Sequence, residues 1–257
     1  MRITFNPTTQ YSRKQPNFTS NNCFYLSEQQ TPVGTVSRMF REDLLWHKLA
    51  LHEHATFYNT PKVQTLQFAC SDGSESYTQA IALMETDSIK GYEKFLPIQA
   101  MDINDNILDV AKSGLVNFSK DDIWRMRNMG FDIDKYFEKA DKQIIHKNLQ
   151  PVTVNDVDFN TYKIKPILSD KIIFKKADMF EIMKNHKDES NTIVLCRNVL
   201  GYYPENKIDE FIDLLGKKLK SNSLVVIGSM EVSEKVDIKL LYKDFVQVAE
   251  NIFRKVR

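Results

Sequence analysis

Nowhere do the 257 residues hold an apolar run near the roughly 20 that a membrane-crossing helix needs, so no transmembrane helix is expected. The start of the chain also lacks the charged-then-apolar pattern of a secretory leader. Cysteine is scarce. Cys23, Cys70 and Cys196 have neither an even count nor metal-ligand spacing, which argues against a disulfide framework and for reduced thiols in a cytoplasmic protein. Charge of one sign is lacking too: 35 Lys and Arg against 34 Asp and Glu leave +1, so no global field draws the chain to nucleic acid or an anionic membrane. His47, His52 and His54 have no matching cluster of Cys or acids, and they read as solvated or satisfied rather than metal-bound.

What is present is the composition of an ordinary globular protein, with 42% hydrophobic and 27% charged residues, which excludes wholesale disorder. Residues 1–34, rich in Asn, Gln, Thr and Ser with three prolines, read as an N-terminal extension. From Val36, apolar residues from Met39 to Leu51 recur at helical intervals and predict an amphipathic helix ending before Pro61. An alternation follows, with strands expected over 63–69, 95–101, 171–175, 192–196 and 224–227, and helices over 75–85, 104–113, 179–184 and 205–220. Apolar strands alternating with helices indicate a parallel sheet covered on both faces. Residues 114–170 break the rhythm and read as an insertion, helical over 121–127 and 132–139, with an antiparallel pair over 143–149 and 162–168. Residues 243–248 and 252–256 read as a closing hairpin.

The first strand-to-helix turn, Ala69-Cys70-Ser71-Asp72-Gly73-Ser74-Glu75, has one glycine where a dinucleotide fingerprint needs three, and no Gly-Lys-Ser/Thr follows it. It offers instead small side chains and two carboxylates, which repel phosphate and attract cations. The next strand ends on Asp102, where an acid is placed to accept from ribose hydroxyls. A nucleoside-bearing ligand with a positive group and no phosphate fits, and S-adenosylmethionine is such a ligand. Each acid has a second reading: Asp72 and Asp102 as helix caps, and Glu75 as a partner of the helix dipole.

The stretches FACSDGSESYTQAIAL, IQAMDINDNILDVAKSGL, IVLCRNVLGYY and VVIGSME, with TVSRMFRED before them and NIFRKV at the end, are similar in order and spacing to the motifs of the CheR-type protein-glutamate methyltransferases. The resemblance runs from about Thr35 to the end. It implies an α/β, doubly wound, Rossmann-like fold: a mostly parallel seven-stranded sheet, a C-terminal antiparallel hairpin and a small inserted β-subdomain at about 115–170. Residues 35–257 would form the catalytic domain. The family's usual N-terminal helical domain is not expected within residues 1–34.

Carried over to this chain, the resemblance implies that Thr35, Ser37 and Arg41 approach the cofactor or the reacting carboxylate. Cys70 and Gly73 would border the cofactor in its turn, Glu75 would meet its ammonium, and Asp102 its ribose. Asp178 and Met179 would flank the adenine, Arg197 and Asn198 would underlie the methionine moiety, and Tyr202 would face the substrate. The implied partner is a protein with acidic side chains, met by a monomer, with S-adenosylhomocysteine as product. Apart from the resemblance, Arg125, Arg127 and the Arg254-Lys255-Arg257 end are modest basic spots that read first as solubilising, and Arg125 and Arg127 could also steer an acidic protein segment. Other readings are a methyltransferase with a different acceptor and a catalytically silent cofactor-binding module.

A carboxylate acceptor is already ionised at neutral pH, so no general base is demanded, in keeping with the lack of a convincing His-Asp or Ser-His arrangement. Arg41 and Tyr202 are the candidates to orient it, although an arginine on an amphipathic helix is usually a solvated charge. Arg197 is harder to dismiss, because a charge following a buried strand needs a partner.

Overall fold

The structure is a computed structural model, which describes residues 24–25, 32–33, 37–41, 45–86, 91–118, 120–140, 160–187, 189–228, 231 and 238–256. In chain order these form β1 (Phe24–Tyr25), β2 (Pro32–Val33), α1 (Trp46–Thr56), β3 (Gln64–Phe68), α2 (Ser74–Glu85), β4 (Ile98–Asp102) and α3 (Asp105–Ser113). The inserted part gives β5 (Leu115–Phe118), α4 (Lys120–Asn128), α5 (Ile133–Tyr136), β6 (Phe137–Lys139), β7 (Asn160–Ile164) and α6 (Pro166–Ser169). Then come β8 (Ile172–Lys176), α7 (Met179–Asn185), β9 (Thr192–Cys196), α8 (Glu205–Lys218), β10 (Leu224–Ile227), β11 (Phe245–Ala249) and β12 (Ile252–Lys255).

Seven strands make the main sheet in the order β11-β12-β10-β9-β3-β4-β8. Pairing is parallel from β10 to β8, and β12 joins β10 and β11 antiparallel. Both faces are covered, which is why β9 and β10 are buried at every position and almost wholly apolar. Along β9, Ile193 and Leu195 enter one apolar cluster with α2, while Val194 and Cys196 enter the other with α7 and α8. The doubly wound sheet, the closing hairpin and a separate three-stranded antiparallel sheet, β5-β7-β6, agree with the expected architecture.

Boundaries differ in four places. The helix expected from Met39 starts only at Trp46. Met39 and Phe40 form a turn, with Phe40 in the left-handed region at φ 49 and its N–H given to Thr78 Oγ1 of α2 at 3.0 Å. That tertiary bond replaces the intrahelical one. The strand expected from Phe95 starts at Ile98, because Pro97 has no N–H for a ladder and Tyr92–Phe95 forms a 3-10 turn. Residues 132–139 are one helical turn and then a strand, drawn extended by pairing with β7. The run 162–168 leaves the strand after Ile164, and Pro166 opens a helical turn. The partner of β7 is β5, which sequence periodicity did not reveal; the strand expected over 143–149 lies outside the described residues. Among the described residues no helix is long and apolar enough to cross a membrane.

One buried acid ties α1 to α2. Glu53 is sealed from solvent, accepts from Gln79 Nε2 at 2.7 Å, and burial pushes its pKa up to about 8. In the unfolded chain it ionises near the ordinary value of about 4.3. The native state therefore holds a proton that the unfolded state releases between those two values, so this site's contribution to stability falls as pH rises from about 4 to about 8. Glu53→Gln, which cannot titrate, is expected to unfold at a higher urea concentration than the parent at pH 8, with the gap closing at pH 5.

Candidate active site

At the switch point of the sheet the chain leaves β3 toward β4 on one side and β9 lies on the other, which opens a cleft beyond the carboxyl ends of these strands. Register makes the convergence specific: Phe68 lies opposite both Met101 and Cys196. Beyond Phe68 comes the Cys70–Glu75 turn, beyond Met101 comes Asp102, and beyond Cys196 come Arg197 and Asn198. These groups become neighbours because the strands end level.

The first turn is tight enough to use the left-handed region three times in five residues, at Ala69 (φ 51), Ser71 (φ 52) and Gly73 (φ 83). Non-glycine residues hold that conformation only when their surroundings dictate it. Here Cys70 N–H donates to Met101 O at 2.9 Å, Ser71 N–H to Asp102 Oδ2 at 2.9 Å, and Ser74 N–H to Asp72 Oδ1 at 3.0 Å. Asp72 thus takes the helix-entry role, closing a turn onto the first residue of α2. Gly73 is required sterically as well, since a Cβ there would lie 2.7 Å from Phe174 Cζ.

Asp102 fastens two loops at once, accepting from Ser71 N–H and, through Oδ1, from Asn104 N–H at 3.1 Å. Burial pushes its carboxyl pKa up, and the backbone donors oppose that. The cap of α3 is Asn104, whose side chain accepts from Asn106 N–H at 2.9 Å. On the next strand over, Asp178 caps α7 by accepting from Phe180 and Glu181 N–H at 2.8 and 3.1 Å, with Met179 buried beside it. Ala177 N–H donates to Asp102 O at 3.0 Å and joins the two strand ends.

Glu75 sits in the first turn of α2 and does more than face the helix dipole. Its Oε2 pairs with Arg197 Nη1 at 2.9 Å, and Oε1 accepts from Gln67 Nε2 at 3.2 Å. Arg197, whose side chain is fully buried, also lies over the Trp46 ring at 4.9 Å. Its charge therefore has the partner that its position demanded, and that partner is the carboxylate expected to meet an ammonium. Gln67 and Arg197 hold this carboxylate in one geometry at the start of α2.

Asn198 follows in the left-handed region at φ 56, and the chain then makes a 3-10 turn, Leu200–Tyr202. Tyr202 is half-buried; burial pushes its phenol pKa up, and the charge of Arg41 pulls the other way. Arg41 lies on an irregular segment rather than on a helix, with its carbonyl accepting from Trp46 Nε1 at 3.2 Å. Ser37 lies half-buried near the start of that segment, and Thr35 lies outside the described residues. Cys70 and Cys196 are buried free thiols, held protonated first by desolvation and then by nearby carboxylates.

Sequence reading missed three residues that hold this arrangement: Gln67, Trp46 and Glu231. Gln67 was the most visible of them, an amide within the otherwise apolar run LQFA, and it accepts from Ser76 Oγ while donating to Glu75. Glu231 stands four residues beyond the end of the apolar β10, in the stretch VVIGSME.

A doubly wound sheet with carboxylates, rather than a glycine-rich phosphate cradle, at its switch point defines a class of nucleoside-binding α/β proteins. The comparison with known families is more specific, since the model described as "CheR methyltransferase, SAM binding domain" matches residues 35–244. The chain therefore belongs to the CheR methyltransferase family, and the matched part is its S-adenosylmethionine-binding domain. Among curated proteins it is 25% identical over 162 residues to a chemotaxis protein methyltransferase of Borreliella burgdorferi, aligning with 63% of this chain and 50% of the relative. It is 26% identical over 229 residues to a Pseudomonas putida protein named methyltransferase Cher3, covering 86% and 72%. The chain thus spans about half the length of the first relative. A solved N-methyltransferase, NodS of Bradyrhizobium japonicum with S-adenosylhomocysteine, aligns at 11% identity and a TM-score of 0.41 over 84% of this chain and 90% of that one, a likeness too loose to carry function.

Removing one partner of a buried ion pair leaves the other charge stranded, at a cost of roughly 3–5 kcal/mol. Arg197→Met is expected to lose stability on that scale, and adding Glu75→Gln to it is expected to restore part of the loss in urea unfolding.

Proposed function

We propose that this chain transfers the methyl group of S-adenosylmethionine to a side-chain carboxylate of a protein, most specifically a glutamate. The observation that carries the reading is the convergence of Glu75, Asp102 and Asp178 on the carboxyl side of one sheet, with Tyr202 within the electrostatic influence of Arg41. Those carboxylates suit a cationic nucleoside and oppose a nucleotide phosphate. Glu75 would take the ammonium of the cofactor, Asp102 the ribose hydroxyls, and Asp178 with Met179 the adenine. Arg197 and Asn198 would underlie the methionine chain, with Cys70, Gly73, Ser37 and Thr35 at its borders.

When bound, S-adenosylmethionine supplies an electrophilic methyl on a sulfonium. The protein must then hold the accepting oxygen in line with that methyl and remove competing water. Arg41 supplies a fixed cation for the incoming carboxylate. Tyr202, its phenol kept protonated by burial, supplies a donor and cannot act as a base near neutrality. The acceptor arrives ionised, so the site needs no proton removed. The three-stranded sheet β5-β7-β6 and Arg125, which pairs with Asp122 at 2.6 Å and feels the charge of Arg38, offer a basic approach for an acidic protein segment. Residues 35–257 would form the catalytic unit.

Calorimetric titration with S-adenosylhomocysteine is expected to give one site per chain. Labelled methyl transferred to protein is expected to be released by mild base, as an ester is; base-stable label would mean a different acceptor, and binding without transfer a silent module. Arg41→Ala is expected to lower turnover by about tenfold or more while leaving S-adenosylhomocysteine affinity largely intact. Equal loss of both would remove Arg41 from the role of orienting the acceptor.

A further inference from the structure

One buried carboxylate beside the cleft takes no part in the chemistry above. Glu231 is fully enclosed, and both its oxygens are spent on backbone donors. Oε2 accepts from Asn198 N–H at 2.8 Å and Gly228 N–H at 2.9 Å, while Oε1 accepts from Val199 N–H at 2.6 Å and Leu200 N–H at 3.0 Å. Three consecutive amides of the loop after β9 thus converge on one anion, in the manner of a backbone nest, with Asn198 in the left-handed region. Four bonds fill about the capacity of a carboxylate. Burial pushes the Glu231 pKa up, and these same donors favour its ionised form. Gly228 brings the end of β10 against this loop: a Cβ there would fall 2.4 Å from Asn198 Oδ1 and 2.7 Å from its backbone nitrogen.

The loop so held runs from Arg197 to Tyr202, and its two ends are secured differently. Arg197 is fixed by its own side chain, against Glu75 and Trp46. Tyr202 sits on the 3-10 turn, where its N–H donates to Val199 O at 3.1 Å and the next N–H, of Tyr203, to Leu200 O at 2.9 Å. That turn hangs from the two residues whose own amides Glu231 Oε1 grips. We propose that Glu231 is a positioning residue that sets where Tyr202 stands toward the methyl-accepting carboxylate, acting through the amides of Val199 and Leu200. The proposal rests on the methyltransferase reading and adds a specific division of labour: Glu231 governs the acceptor end of the loop, and the Arg197–Glu75 pair governs the cofactor end.

The test uses the full chain with Glu231→Gln, which turns one acceptor oxygen into an NH2 group facing donors, and Glu231→Asp, which keeps the carboxylate on a shorter arm. Amide hydrogen exchange over 198–203, S-adenosylhomocysteine affinity and the rate of base-labile methyl incorporation are measured for each. For Glu231→Gln, exchange at 199–203 is expected to accelerate and methyl incorporation to fall, each by about tenfold or more, while S-adenosylhomocysteine affinity shifts by less than about threefold. Glu231→Asp is expected to recover part of the rate. Unchanged exchange and rate would overturn the proposal, as would parallel losses of affinity, rate and thermal stability, which would make Glu231 a general structural prop. If Glu231→Gln does not fold, Glu231→Asp is judged against the parent by the same split. A parent chain that binds no S-adenosylhomocysteine would sink the methyltransferase reading, while the exchange comparison would still decide whether Glu231 holds the loop.

Discussion

Helix α2 is buried nearly all the way round, yet its first half reads Ser-Glu-Ser-Tyr-Thr-Gln. A polar side chain taken out of water without a partner is costly, so such a helix persists only if each group finds a partner. Here each of the partners belongs to a different part of the molecule. Glu75 meets Arg197 from β9, Ser76 meets Gln67 of β3, Thr78 receives the amide of Phe40, Gln79 reaches Glu53 of α1, and Glu85 at the far end accepts from Lys135 and Tyr136 of the insertion. The helix entered through the Cys70–Glu75 turn is therefore also the post to which the segment around Phe40, α1 and the inserted subdomain are tied.

That arrangement links packing to the proposed chemistry. Thr78 lies one turn beyond Glu75 on α2, and its hold on Phe40 fixes the segment whose next residue is Arg41. Phe40 in turn stacks on Phe131 of the insertion at 4.8 Å. The cofactor side and the acceptor side of the cleft are thus referred to one helix and not to separate flexible loops. Rigid reference of this kind is what an in-line displacement requires, because its rate depends steeply on the placement of the two reacting groups.

The layered fold was legible because parallel strands buried on both faces write themselves as short apolar runs, and runs such as TIVLC and LVVI are short and rich in β-branched residues, which favours strand over buried helix. Asp102 and Arg197 stood out for a related reason: a charge placed where such a run ends is visible against it, whereas Asp178, which follows Lys175 and Lys176, was reached only through the family resemblance. The segment around Phe40 was not legible. Its apolar spacing satisfies a helix, and only a tertiary hydrogen bond to Thr78, 38 residues away, decides for a left-handed turn instead. The inserted subdomain was half legible, since β7 alternates clearly while β5 is four residues following directly on α3, too short to show a period. Trp46 lies within the stretch expected to be helical, and nothing local marks it as the platform for a guanidinium.

The pairing of Glu75 with Arg197 bears on how selectivity for a positively charged ligand arises. A carboxylate already neutralised by a buried guanidinium attracts a further ammonium less than a lone one would, so Glu75 alone is a weak source of affinity. It is, however, a well-placed acceptor, held by Gln67 and Arg197 in one geometry. Discrimination then comes from direction and from the sum of several acids around the cleft, not from one strong charge. Asp102 and Asp178 would contribute differently, since the groups that hold their carboxylates are backbone amides. A carboxylate satisfied by amides keeps its full negative charge, whereas one satisfied by arginine keeps mainly its shape. On the proposed reading the nucleoside half of the cleft would be the electrostatically negative half, and the half beside Arg41 and Tyr202 the one suited to an incoming anion, which is the polarity a reaction between a cationic donor and a carboxylate demands.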